Sequence, residues 1–98
     1  MPDYRAANPV REQLEKRVRE LPLSPGVYIM KNVNGEIIYV GKAVVLRHRV
    51  RSYFGSLKNQ ANKVAKMVAN IADFEYIVTD TELEALILEN NLIKQHKP

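Results

Sequence analysis

Hydrophobic residues follow helical spacing toward both ends of this chain and strand-like spacing between them. Val10, Leu14, Val18 and Leu21 fall on one stripe of a helix. Asn8-Pro9 just before them offers an N-cap followed by proline at the first helical position. Leu21-Pro22-Leu23-Ser24-Pro25-Gly26 ends that helix, because neither proline can continue it. Val27 to Lys31 and Glu36 to Val40 read as two strands joined through a turn containing Asn34-Gly35. A basic amphipathic helix is expected over about Val44 to Phe54, closed by Gly55, and a second over about Asn59 to Ile71. Phe74 to Thr79, aromatic and β-branched, predicts a third strand. Thr81-Glu82-Leu83-Glu84 has capping-box spacing and opens a last helix that runs toward Lys97. Residues 1–8 carry no usable pattern and are expected to form a disordered tail ahead of one domain over 9–98.

Three of these elements carry candidate chemistry. With Asn34 and Gly35 as the central turn residues, Met30 faces Tyr39 and Tyr28 faces Gly41, so both tyrosines share one face as diagonal neighbours. Gly41 then leaves an open space beside Tyr28 where a ligand or backbone can approach. A slip of one residue would separate the tyrosines, and simple ring packing is the bland alternative. In the helix that follows, Leu46, Val50, Tyr53 and Phe54 form the apolar side, and Arg47, His48 and Arg51 point away from it. Arg49 lies one turn before Tyr53 at the edge of the apolar stripe, either snorkelling or held at a site where its planar fork suits a phosphate. In the last helix Ala85, Leu86, Leu88, Leu92 and Ile93 make an apolar arc that encloses Glu89, while Glu84, Asn91 and Gln95 fall on the wet side. A carboxylate on a buried face needs a hydrogen-bond partner, a counter-ion or a metal. Two tyrosines, Lys42, an inward arginine and an inward glutamate suit phosphodiester hydrolysis better than acyl transfer, since no Ser-His-Asp or Cys-His arrangement is apparent.

Composition narrows the partner. The 98 residues allow one small core, carry a formal charge of +4 and contain no cysteine, which excludes disulfides and thiolate zinc sites. His48 and His96 are too few and too far apart for a histidine metal cluster. There is no signal-peptide pattern and no apolar run long enough to span a membrane, which fits a cytoplasmic protein. The charge is segregated. From Ile37 to Ala72 there is no Asp or Glu, while Lys42, Arg47, Arg49, Arg51, Lys58, Lys63 and Lys66 all lie there. From Asp73 to Ile93 there are only acidic charges: Asp73, Glu75, Asp80, Glu82, Glu84 and Glu89. A soluble surface normally mixes signs, so the basic block is read as the footprint of a polyanion, nucleic acid rather than a bland basic face, with Lys42, Arg47, Arg49, Arg51, Lys58 and Lys63 as the candidate contacts.

Gly26-Val27-Tyr28, Tyr39-Val40-Gly41-Lys42-Ala43, Arg49, Tyr53 and Glu89-Asn90-Asn91-Leu92-Ile93-Lys94, in that order, resemble the GIY-YIG nuclease family. The likeness covers roughly Leu21 to Pro98, and within the family it is greatest to the nuclease domain of the incision subunit of bacterial nucleotide excision repair. The resemblance implies an α/β (α+β) domain with a small central three-stranded antiparallel sheet flanked by helices. It implies a divalent-metal-dependent endonuclease that cuts one strand on the 3′ side of a lesion in double-stranded DNA, loaded by the UvrB helicase subunit after UvrA–UvrB has found the damage. Residue by residue, Glu89 matches the metal ligand, Tyr28 and Tyr39 the two family tyrosines, Arg49 the arginine near the scissile phosphate, and Lys42 and Tyr53 the remaining site residues. One carboxylate is few ligands for a hard cation such as Mg²⁺ or Mn²⁺, which then keeps most of its own hydration. Tyr39 is expected to activate the attacking water with help from Lys42, although Tyr28 and Tyr39 can exchange roles at this level. Val44 and Val45 stand where the family usually has basic or polar residues. A Tyr-Asn pair usually follows the position of Pro98 and its asparagine belongs to the site, so the chain is expected to be a fragment of a longer protein.

Other readings stay open on the sequence. A different structure-selective GIY-YIG nuclease is one, against which the Leu-Pro-x-x-Pro-Gly lead-in argues. A non-catalytic nucleic-acid-binding module, with Glu89 as a structural ion-pair partner, is another. A protein–protein adaptor built on the Val10 to Leu21 helix is the third.

Overall fold

The computed structural model describes residues 10–54 and 62–97. The expected tail, the Asn8-Pro9 start, Gly55 and Lys58 lie outside the described residues. In chain order the elements are α1 (Arg11–Arg19), β1 (Gly26–Lys31), β2 (Ile37–Ala43), α2 (Leu46–Tyr53), α3 (Asn62–Asn70), β3 (Asp73–Val78) and α4 (Glu82–His96). The three strands form one antiparallel sheet in the order β2-β1-β3, so β1 is central and β2 and β3 are edges.

Period-two alternation divides β1 between two cores. Tyr28 and Met30 face a layer made by Leu14 and Val18 of α1, Leu46, Val50 and Tyr53 of α2, Val68 of α3 and Phe74 of β3. Val27 and Ile29 face the other way, where Val40 and Ala85 complete a smaller cluster with Ile37, Leu88 and Leu92 packed against it. Three helices therefore cover one face and α4 alone covers the other. Arg11 is an unforeseen buried charge in the larger layer, 5% exposed. Its Nε donates to Glu15 at 2.9 Å and its Nη2 to the Phe54 carbonyl at 2.7 Å, which ties α1 to the end of α2.

The hairpin has the expected pairing but not the expected turn. Tyr28 pairs with Gly41 and Met30 with Tyr39. The connection is a three-residue loop, Val33-Asn34-Gly35. The Gly35 N–H donates to the Asn32 carbonyl at 3.0 Å, and Gly35 takes the left-handed conformation, φ 79°. The Asn32 side chain accepts from the Asn34 and Glu36 N–H groups, both at 3.0 Å, which favours this turn. Lys31 pairs with Ile37, and a bulge between Met30 and Lys31 restores the register beyond it. β2 also runs on to Ala43, further than expected, so Gly41 and Lys42 are strand residues.

The last helix follows its cap. Thr81 accepts from the Glu84 N–H at 3.1 Å, and Glu84 reaches back to the Asp80 N–H at 3.4 Å, one residue beyond the Thr81 N–H of a regular capping box. Its inner side is narrower than the expected arc. Ala85, Leu88 and Leu92 pack on the sheet, whereas Leu86 and Ile93 are exposed, because α4 lies chiefly on β2 and β1.

Candidate active site

β2 is an edge strand, and an edge leaves every second backbone N–H without a ladder partner. At Lys42 that donor is used. The Lys42 N–H donates to Glu89 Oε2 at 2.9 Å, fixing the carboxylate of α4 against the strand edge. Glu89 is half-buried and sits at the margin of the inner face rather than in its middle. Among the described residues it has no Lys, Arg or His within ion-pair distance. The structural ion-pair partner is thus absent there, and the carboxylate retains acceptor capacity toward solvent. No group of three or more His, Cys, Asp or Glu side chains that could hold a metal ion occurs among the described residues. A half-buried carboxylate held by one N–H and lacking a cationic neighbour fits a hard divalent cation bound through oxygen.

Across the strand three tyrosines meet. The rings of Tyr28 and Tyr39 stack with centroids 6.0 Å apart, and Tyr53 of α2 tilts against both, at 5.7 Å from Tyr28 and 6.2 Å from Tyr39. The Tyr28 and Tyr53 hydroxyls are 2.7 Å apart in a hydrogen bond. Arg49 Nε donates to the Tyr28 hydroxyl at 3.3 Å, and its guanidinium lies 5.3 Å from the centre of the Tyr53 ring. The space expected to be open at Gly41 is filled by Tyr28. A Cβ at Gly41 would overlap the Tyr28 hydroxyl and Cζ and come within 2.9 Å of Tyr39 Cε2. Glycine is required because the phenol lies directly on the backbone.

Burial sets the protonation of this cluster. Tyr28 is 1% exposed, and desolvation raises its pKa above the usual tyrosine value against the opposing hydrogen bonds from Tyr53 and Arg49. Desolvation, then the hydrogen bond with Tyr28, raises Tyr53 strongly as well. Both are neutral phenols at physiological pH. Tyr39 is 36% exposed and is the accessible member of the three.

The structure thus brings Tyr28, Tyr39 and Tyr53 into mutual contact and sets Arg49 against Tyr28 and Tyr53, with Lys42 and Glu89 joined at the edge of the same strand. The sequence reading missed the Tyr28–Tyr53 bond and took Lys42 as a side chain only, whereas its backbone N–H holds Glu89. Arg49 and Tyr53, four apart on one helix, were the available signal for the former. Other basic residues stand apart. Arg47 does not point away into solvent, because its Nε donates to the Leu21 carbonyl at 2.7 Å. Arg51 and Lys63 are exposed on α2 and α3.

A three-stranded antiparallel sheet that sets two tyrosines over a glycine, with an arginine and a tyrosine from the next helix and a glutamate from the last, defines a GIY-YIG endonuclease domain. Comparison with known proteins narrows the class. The family model described as the UvrC-like GIY-YIG domain matches residues 24–98. "UvrABC system protein C" of Acetivibrio thermocellus is 69% identical over 85 residues, covering 87% of this chain and 14% of that protein. The protein of the same name from Clostridium acetobutylicum is 63% identical over 84 residues, again with 86% and 14% covered. Among solved structures, the GIY-YIG N-terminal endonuclease domain of UvrC from Thermotoga maritima, bound to its catalytic divalent cation magnesium, is similar with a TM-score of 0.79 and 44% identity, covering 89% of this chain and 93% of that one. The chain belongs to the UvrC-like GIY-YIG family. It spans 14% of the length of these relatives. No helix among the described residues is long and apolar enough to cross a membrane.

Proposed function

We propose that this domain hydrolyses one DNA phosphodiester on the 3′ side of a lesion, as the nuclease unit of a cytoplasmic excision-repair incision subunit. The observation that carries the reading is Glu89, a half-buried carboxylate fixed by the Lys42 N–H and without a cationic partner among the described residues. Glu89 is the group to hold Mg²⁺ or Mn²⁺; when bound, the ion supplies positive charge to the phosphate and the departing 3′ oxygen. Among the described residues Arg49 is anchored through Nε alone, which leaves its terminal N–H groups to bind the scissile phosphate. Tyr28 and Tyr53 position Arg49 as neutral phenols. Tyr39, the exposed tyrosine, orients the attacking water and, as its phenolate, takes the water's proton while the oxygen attacks phosphorus; Lys42 and Arg49 are proposed to supply the positive charge that favours the phenolate. Arg47, Arg51, Lys58 and Lys63 contribute backbone contacts, and UvrB, acting after UvrA, delivers the intact protein to damaged DNA. The domain is expected to begin at residue 9.

The test uses the intact protein and a duplex with one lesion, scoring the cuts on the two sides separately in Mg²⁺. Glu89→Gln should abolish the 3′ cut with folding unchanged. Undiminished 3′ cutting by that variant would leave Glu89 structural and return the domain to a binding role.

A further inference from the structure

A second concave site lies on the far flank of α2 from the tyrosines. It is a groove of about 490 Å³ between α1 and α2, lined among the described residues by Glu15, Val18, Arg19, Arg47, Arg51 and Phe54. None of its three arginines has a carboxylate partner among the described residues, and its one carboxylate, Glu15, is already paired with Arg11 at 2.9 Å. The charge is therefore uncompensated. Helix dipoles account for part of it, because Arg19 and Arg51 lie in the last turns of α1 and α2, where cations are favoured. They do not account for Arg47, which lies in the first turn of α2, the end that disfavours a cation. Its Nε bond to the Leu21 carbonyl fixes that guanidinium in place without neutralising it.

We propose that this groove is a second phosphate-binding site, which takes the backbone of the nucleic acid flanking the phosphate held at Arg49. Planar guanidinium forks suit phosphate oxygens, and Val18 and Phe54 offer apolar surface to a sugar. Arg47 reaches the Leu21 carbonyl, in the segment that follows α1, on one flank of α2, and Arg49 reaches Tyr28 on the other. The two sites are thus about one helix diameter apart, roughly 10 Å. Backbone contact at that distance fixes the register of the strand over the catalytic residues without reading its sequence. The assignment rests on the nuclease reading above and adds Arg19, from outside the basic block, to the DNA contacts.

The test measures binding of the intact protein to undamaged duplex DNA without divalent metal, over a series of salt concentrations. Arg19→Ala/Arg51→Ala should weaken binding and reduce the slope of log affinity against log salt by about 2, close to one per lost phosphate contact. Arg19→Lys/Arg51→Lys, which keeps the charges, should retain most of the slope. Both side chains are exposed, so the alanine variant should lose only the small helix-end contribution of the two charges, a few degrees in melting temperature, and stay folded under the assay conditions. An unchanged salt slope in the alanine variant overturns the proposal, as does an unchanged slope with weakened capture of the UvrB subunit, which would give the groove to an acidic protein surface. Failure of the nuclease reading would appear elsewhere, as cutting that survives Glu89→Gln, and the metal-free salt slope is independent of it.

Discussion

Gly41→Ala should be among the most damaging small substitutions in this domain, and the reason is local. Gly41 is not at positive φ, so alanine can adopt its backbone, and relief of unfolded-state entropy alone would stabilise the protein by about 0.4–1 kcal/mol. The added methyl overlaps the Tyr28 hydroxyl and Cζ, and Tyr39 stands 2.9 Å away on the other side. Tyr28 is 1% exposed and has no room to retreat without disturbing the layer that includes Met30, Leu46 and Val50. Overpacking of this kind costs about 1–3 kcal/mol. Displacing the phenol also breaks its hydrogen bonds to Tyr53 and Arg49, at about 1 kcal/mol each. A net loss of about 2–4 kcal/mol follows, which for a domain of this size lowers Tm by roughly 10–25 °C. The assay is thermal melting by circular dichroism, run as a cycle with Tyr28→Leu, which removes both overlapping atoms. In the leucine background Gly41→Ala should be neutral or slightly stabilising. An equal penalty in both backgrounds would refute the contact with Tyr28 as its cause.

Other consequences are equally open to measurement. Tyr28 and Tyr53 ionise above the usual tyrosine range while the unfolded chain ionises near 10. Their burial therefore favours folding fully below pH 10 and progressively less above it; absorbance titration should show two tyrosines ionising late, together with alkaline loss of stability. Arg17 holds the Asp73 carboxyl below the usual carboxylate range, so that contribution is present above about pH 4 and lost as pH falls through the depressed value. Both partners are about half exposed, so Arg17→Ala should soften the acid dependence of Tm between pH 5 and 3 by under about 1 kcal/mol, and an identical acid profile would count against the pair. Thr81→Ala removes the side-chain acceptor at the start of α4 and should cost about 1 kcal/mol, read as a drop of several degrees in Tm.

The hairpin shows how far a sequence pattern carries. Tyr28 opposite Gly41 was legible from the alternation of apolar residues and the Asn-Gly pair, yet the pairing arises differently. A three-residue loop shifts the strands by one residue and the bulge shifts them back. The Asn32 side chain selects that loop through two hydrogen bonds, a preference invisible in a two-residue turn template. The position of Glu89 was legible as an anomaly of helical periodicity, but its partner was a backbone N–H of an edge strand, which periodicity cannot locate. The spacing of Leu86 and Ile93 places them with the core; they are exposed because α4 rests chiefly on β2 and β1. Side-chain reach decided the remainder. Arg47 could be placed on an outward face from its number, but not its turn back to the Leu21 carbonyl, nor the burial of Arg11 beneath Phe54.

The central claim is that Glu89 holds the divalent cation beside the β2 edge. It is tested most directly by titrating Mn²⁺ into isotopically labelled protein and following paramagnetic broadening of backbone amide signals. Broadening should begin at the Lys42 amide, which is hydrogen-bonded to Glu89, and at its strand neighbours, and Glu89→Gln should abolish it while leaving the rest of the spectrum in place. Broadening centred elsewhere, or unchanged in the glutamine variant, would contradict the account.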